Sequence, residues 1–190
     1  IPIVCGGFGA ASLQEEEMKG LYGIIDYFCI GEGEELIVQL YNFIKYKKGL
    51  IKNIPNLIYF DKENLIKNRY QRMNELDKLP FPNRNILKKF NVYRNKLISI
   101  SATRGCPYHC SFCSVHTIWK NQWRCRSIPS IIQEIHSIDD TFHPKIINFE
   151  DDNLSYDKEW FGFLLDELIR INFDNRIEFT AMNGMNYHQL

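Results

Sequence analysis

Leu97-Ile-Ser-Ile-Ser-Ala-Thr-Arg-Gly-Cys-Pro-Tyr-His-Cys-Ser-Phe-Cys113 decides how this chain is read. Leu97 to Ser101 has the apolar character of a buried strand. A turn-forming loop follows, with Cys106, Cys110 and Cys113 in the pattern Cys-x-x-x-Cys-x-x-Cys. Three thiolates can hold a four-iron cluster and leave one iron without a protein ligand. A metal site with an open position is suited to chemistry, whereas a structural site is closed.

Downstream of this loop the pattern repeats. Ile128, Ile131, Ile132, Ile135 and Ile138 form an apolar stripe at helical spacing, with Pro129 tolerable in the first turn. Lys145-Ile-Ile-Asn-Phe149 reads as the next strand, and Glu150-Asp-Asp-Asn153 as a polar loop at its end. Asp157 can cap a helix bearing Trp160, Phe161, Leu164, Leu165 and Leu168. Arg176-Ile-Glu-Phe-Thr180 is a third strand and Met182-Asn-Gly-Met-Asn186 its terminal loop. Strand–helix units with polar loops after the strands fit a βα barrel, whose chemistry collects at the strand C-termini. Residues 96–190 are therefore expected to be the first part of such a barrel.

Upstream, Ile1-Pro-Ile-Val-Cys5 reads as a buried strand ending at Gly6-Gly7. A helix is expected from Ser12, because Glu15, Glu16 and Glu17 suit a helix N-terminus. Asp26 to Ile30 is a second short strand. Gly31-Glu-Gly-Glu-Glu35 opens a helix with apolar Leu36, Ile37, Leu40, Tyr41 and Ile44. This alternation predicts a parallel sheet with flanking helices. Asn56 to Lys67 reads as a hairpin turning at Asp61 to Asn64, which closes a first domain at residues 1–69. Residues 70–95 are polar and contain Leu79-Pro-Phe-Pro-Asn83, so they are expected to be an extended linker.

The totals exclude some classes. With 23 basic and 23 acidic side chains, there is no electrostatic case for nucleic acid or an anionic membrane. Lys45, Lys47, Lys48 and Lys52 read as a solvated helix end. No apolar run approaches the roughly 18 residues of a spanning helix. No signal peptide is visible, and the chain begins at Ile1 and not Met, so a piece of a longer protein is expected. Close spacing of three of the six cysteines favours metal binding in a reducing, cytoplasmic compartment over disulfides. Cys5 and Cys29 lie in strand-like runs and read as small core residues.

Soft thiolates select zinc or iron–sulfur clusters. A structural zinc site wants four ligands, and His109, His116 or Cys125 could supply the fourth. A closed four-cysteine cluster using Cys125 is another reading. The short gaps crowd three sulfurs together, which suits a bulky cube better than a small tetrahedral ion. A zinc- or cluster-stabilised binding module without catalysis remains the alternative.

At Arg104-Gly105-Cys106-Pro107, Cys110, Phe112 and Cys113 the chain resembles the radical S-adenosylmethionine enzymes, whose signature is Cys-x-x-x-Cys-x-aromatic-Cys after the first barrel strand. The resemblance implies that Cys106, Cys110 and Cys113 ligate a 4Fe–4S cluster. It implies that the amino and carboxylate groups of S-adenosylmethionine chelate the open iron, and that one electron cleaves the molecule to methionine and a 5′-deoxyadenosyl radical. It further implies that Phe112 lies near the adenine, and that an external donor such as flavodoxin or ferredoxin supplies the electron. In that family the loop after the second strand binds the methionine ammonium; here it carries Glu150, Asp151 and Asp152, and a carboxylate suits a cation. Asn183 on the third loop is a weaker candidate, and Arg124 or Arg126 could meet a carboxylate.

The first half is similar to the C-terminal part of a Rossmann-like cobalamin-binding domain, through Val4-Cys-Gly-Gly-Phe8, Asp26-Tyr-Phe-Cys-Ile-Gly-Glu-Gly-Glu34 and the Leu79-Pro-Phe-Pro linker. The resemblance implies that Gly6 and Gly7 let the backbone approach the nucleotide tail of cobalamin. A plain strand-ending turn is the competing reading of those glycines. That family's Asp-x-His-x-x-Gly motif is absent from these residues. The resemblance implies methyl transfer or related radical chemistry, on a substrate the chain does not reveal. A relative whose Rossmann-like domain has lost cobalamin is a further alternative.

Overall fold

The computed structural model describes residues 1–88, 96–183, 185 and 186. The end of the expected linker, residues 89–95, and Gly184 of the third loop lie outside the described residues. In chain order the elements are β1 (Val4–Cys5), α1 (Gly7–Ser12), α2 (Glu15–Gly20), β2 (Tyr27–Cys29), α3 (Glu34–Tyr46), β3 (Leu57–Asp61), β4 (Asn64–Lys67), α4 (Asn85–Lys88), β5 (Leu97–Ile100), β6 (Thr103–Arg104), α5 (Val115–Trp119), β7 (Arg124–Cys125), α6 (Ile128–Phe142), β8 (Ile146–Phe149), α7 (Lys158–Ile171) and β9 (Glu178–Thr180). They pack as two compact units: Ile1–Met73 with Tyr108–Lys120, and Asn74–Pro107 with Asn121–Leu190.

The first unit is built on a four-stranded sheet ordered β1-β2-β3-β4. Only β1 and β2 run parallel; β3 and β4 return antiparallel. The parallel pairing expected from the glycine–helix alternation holds for β1 and β2, and the expected β3–β4 hairpin extends the sheet antiparallel. A short turn such as the one joining β3 to β4 can connect only antiparallel strands. The turn pairs Asp61 with Asn64 and holds Lys62 at φ 55°. The expected helix from Ser12 is two short ones. Gly7 opens α1, and α2 starts at Glu15, where the Gln14 N–H donates to Glu17 Oε2 at 2.7 Å. On α3, Leu36 and Leu40 are buried while Ile37 and Tyr41 face solvent, so the apolar stripe is narrower than expected. The helix ends at Lys47 in left-handed geometry, beside the exposed lysines. Asn56, buried at φ 60°, donates to the carbonyls of Glu32 at 2.9 Å and Gln71 at 2.7 Å, tying the two loops together. Finally, α5 packs against α1, and the Tyr70 hydroxyl donates to the Ile118 carbonyl at 3.0 Å.

The second unit is a three-stranded parallel sheet ordered β5-β8-β9, with α6 and α7 as the crossovers. Parallel strands need such long connections, and the helices cover the sheet. Ser127 caps α6 by accepting the Ser130 N–H at 3.3 Å, and Asp157 caps α7 by accepting the Trp160 N–H at 3.0 Å. The expected α6 stripe is buried at Ile131, Ile132, Ile135 and Ile138; on α7 it is Phe161, Leu164 and Leu168, with Leu165 turned outward. These side chains join Ile98, Ile100, Ile147 and Phe149 in one continuous core. The antiparallel ribbon β6–β7, with Thr103 opposite Cys125, has no clear periodic signal, because it is two residues per strand.

Candidate active site

In the second unit the C-terminal ends of β5, β8 and β9 lie side by side, and their polar residues form one hydrogen-bonded rim. Asn148, within β8, is fully buried. Its Oδ1 accepts from Thr180 Oγ1 at 2.9 Å and from the Met182 N–H at 3.0 Å. Its Nδ2 donates to Glu150 Oε1 at 2.6 Å. Glu150 also accepts from Ser99 Oγ at 2.9 Å and, on Oε2, from Asn183 Nδ2 at 3.2 Å. Three neutral donors from three strand ends thus orient an exposed carboxylate without neutralising it. That arrangement suits an incoming cation.

The adjacent acid behaves differently. Asp151, expected beside Glu150 and Asp152 as a partner for an ammonium group, is 2% exposed and turned into the fold. Its Oδ1 accepts the Ala102 N–H at 3.0 Å, the Thr103 N–H, and Thr103 Oγ1 at 2.6 Å. The carboxylate pins the backbone where β5 gives way to β6. Burial outweighs these donors and pushes its carboxyl up to about 6.

Asn153 closes the loop. It is 4% exposed, its carbonyl accepts Trp123 Nε1–H at 2.8 Å, and its Nδ2 donates to Cys106 Sγ at 3.5 Å. Its Oδ1 is buried and has no hydrogen-bond partner. Asn153 and the inner residues Ser99 and Asn148 were not among the expected site residues. The available signal was Asn148, a polar residue inside the apolar run Ile-Ile-Asn-Phe, which must find partners when buried.

Behind the rim, Glu134 of α6 is 2% exposed and pairs with Arg84 at 2.8 Å and with Arg126. Arg126 Nη1 also donates to the Ser101 carbonyl at 3.0 Å, and its guanidinium lies over the Phe81 ring. Arg126 does meet a carboxylate, and it is an internal one.

In the first unit, the Cys113 N–H donates to the Cys110 carbonyl at 3.0 Å, forming a tight turn just before α5. Cys110 is exposed and Cys113 half-buried, while the Phe112 ring is 92% exposed. His109 and His116 stack with ring centroids 6.4 Å apart. Gly6 and Gly7 end β1. A Cβ at Gly6 would lie a tight 3.3 Å from the Cys29 Cβ, and Gly7 sits at φ +83°, where backbone geometry favours glycine.

All six cysteines are free thiols. Burial pushes the Cys29 thiol up to about 11 and raises that of Cys125. Among the described residues no group of three His, Cys, Asp or Glu side chains is gathered closely enough to hold a metal ion. Cys106, Cys110 and Cys113 fit an iron–sulfur cluster by donor chemistry: three soft sulfurs, one already facing an amide donor that leaves a buried oxygen unmatched. No described helix is long and apolar enough to cross a membrane.

No family profile matches the chain. It is 31% identical over 97 residues to bacteriochlorophyllide d C-12(1)-methyltransferase of Chlorobaculum tepidum, covering 50% of this chain and 20% of that protein. It is 27% identical over 141 residues to hopanoid C-3 methylase of Methylococcus capsulatus, covering 70% of this chain and 26% of that protein. The chain thus spans less than a third of the curated relatives it matches. Among solved structures, the radical S-adenosylmethionine methyltransferase TsrM of Kitasatospora setae superimposes with TM-score 0.70 at 21% identity, over 94% of this chain and 36% of that one. The same enzyme has been solved with cobalamin and a [4Fe-4S] cluster bound. In fold the chain is thus similar to a radical S-adenosylmethionine methyltransferase, and in sequence to parts of longer methyltransferases.

Proposed function

We propose that the whole protein is a cobalamin-dependent radical S-adenosylmethionine enzyme, with methyl transfer to an unactivated carbon as its task. The observation that carries this is the parallel β5-β8-β9 sheet with the three-cysteine loop after its first strand, in a chain whose relatives include methyltransferases. In this reading residues 96–190 are the first part of a partial barrel, residues 1–69 the C-terminal part of a Rossmann-like cobalamin domain, and 70–95 the linker. Cys106, Cys110 and Cys113 would hold a 4Fe–4S cluster, which when bound supplies the electron that cleaves S-adenosylmethionine.

The chain's own residues do the rest by binding and orienting. Glu150, held by Ser99, Asn148 and Asn183, takes the methionine ammonium, with Asp152 adding negative charge nearby. Asp151 braces the start of the cysteine loop instead, since its carboxylate is committed to Ala102 and Thr103. Phe112 offers an exposed ring to the adenine. Gly6 and Gly7 present bare backbone to the cobalamin tail, and an external flavodoxin- or ferredoxin-like donor reduces the cluster. Six free thiols suit a cytoplasmic setting.

Anaerobic reconstitution of the complete protein tests this. The expected result is about four irons and four sulfides per chain, with S-adenosylmethionine cleaved after dithionite reduction. Alanine at Cys106, Cys110 or Cys113 removes the cluster, while Cys125→Ala keeps it. One zinc per chain and no cleavage overturns the reading.

A further inference from the structure

We propose that Asn153 is a positioning residue for the iron–sulfur cluster: its side-chain N–H donates to the Cys106 sulfur and sets the cluster's reduction potential. This rests on the cluster assignment above and goes beyond it, because it names a residue outside the cysteine motif.

Three observations carry it. Asn153 Nδ2 lies 3.5 Å from Cys106 Sγ, within range of an N–H···S bond. The residue is 4% exposed, and Trp123 Nε1–H donates to its backbone carbonyl at 2.8 Å, so its main chain is fixed and its side chain is buried beside Cys106. Its Oδ1 is buried without a partner, which is an unfavourable arrangement for a buried amide. The side chain gives up its oxygen's hydrogen bond while keeping its nitrogen on the sulfur. That choice suits a deprotonated ligand sulfur, which can only accept. An apolar side chain such as leucine would fill similar space without leaving an orphaned oxygen.

Hydrogen bonds to cluster sulfurs are among the levers that set reduction potential. A donor stabilises the reduced, more negative state over the oxidised one. Asn153 therefore makes the cluster easier to reduce. This matters where the electron must be accepted from an external donor before any substrate chemistry.

The test uses the complete, reconstituted protein and reads the cluster, not turnover. A dithionite titration with redox mediators, followed by electron paramagnetic resonance, gives the midpoint potential. Asn153→Leu is expected to keep the full iron and sulfide content and to move the midpoint to a more negative value, and Asn153→Gln to recover part of that shift. An unchanged midpoint in Asn153→Leu overturns the proposal and leaves the cluster assignment standing. Absence of a cluster in the unmutated protein overturns both. Should Asn153→Leu fail to fold, the unmutated protein still decides the matter. With asparagine labelled by 15N at its side-chain amide, the reduced cluster is expected to show an electron–nuclear coupling to that nitrogen; its absence overturns the proposal.

Discussion

The two halves of the chain begin alike and diverge at their third strand. In the first unit β1 and β2 run parallel, then the sheet turns back through the β3–β4 hairpin. In the second unit β5, β8 and β9 remain parallel, each joined to the next by a long helix. The consequence is in the cores. The first unit divides its buried apolar side chains between two small clusters, around Leu36, Leu40 and Leu57 on one face and Met18, Phe28 and Ile58 on the other. The second gathers fourteen buried residues into one cluster, so its sheet and helices share their packing. A parallel sheet also aligns all its strand C-termini, which is how Ser99, Glu150 and Asn183 come to one rim.

This difference can be broken at its strongest point. Glu134→Leu strands the Arg84 and Arg126 guanidiniums, 9% and 11% exposed, inside the second unit. Losing one partner of a buried ion network costs about 3–5 kcal/mol, which urea denaturation will register as a large fall in midpoint. A matched pair of truncations sharpens the comparison. Leu164→Ala in the single large core is expected to cost about 3–4 kcal/mol. Leu40→Ala in the smaller cluster should cost about 2–3, because a thin core relaxes around the gap more easily. Equal losses in the two denaturation series would mean that cluster size does not matter here.

A pH series addresses the rim. Asp151 has its folded carboxyl raised from 3.8 to about 6 by burial. The protonated form is therefore favoured in the folded state. Its contribution is fully present below pH about 4 and is lost as pH rises through about 6, amounting to at most about 3 kcal/mol. Asp151→Asn is expected to flatten the stability profile across that window, measured by denaturation midpoints at four pH values. Parallel wild-type and mutant profiles would assign the slope to other groups. The smallest effect belongs to the first unit. Lys62 holds φ 55° in the hairpin turn, and Lys62→Gly should change stability by under about 1 kcal/mol, since relief of the left-handed strain offsets the greater freedom of the unfolded chain.

Much of this was legible in the residues themselves. Helical periodicity found the buried stripe on α6, and Asp157 marked a helix start, because capping and amphipathicity act over a few neighbouring residues. The hairpin was equally local. The three-cysteine loop was visible by its spacing, which points to a soft metal and leaves zinc and an iron–sulfur cluster both open. What stayed hidden were pairings distant in sequence. Nothing local distinguishes Glu150 from Asp151, yet one caps the rim and the other is buried under the Ala102–Thr103 backbone. Asn153 and Cys106 are 47 positions apart, and Glu134 joins Arg84 to Arg126 across three separate segments. The sequence by itself determined the longer strands and helices, the Asp157 cap and the candidate sulfur donors, since each depends on short-range sterics and hydrogen bonding. Only the tertiary structure decided which polar side chains are spent inside the fold and which remain exposed at the rim, because that depends on where burial removes water.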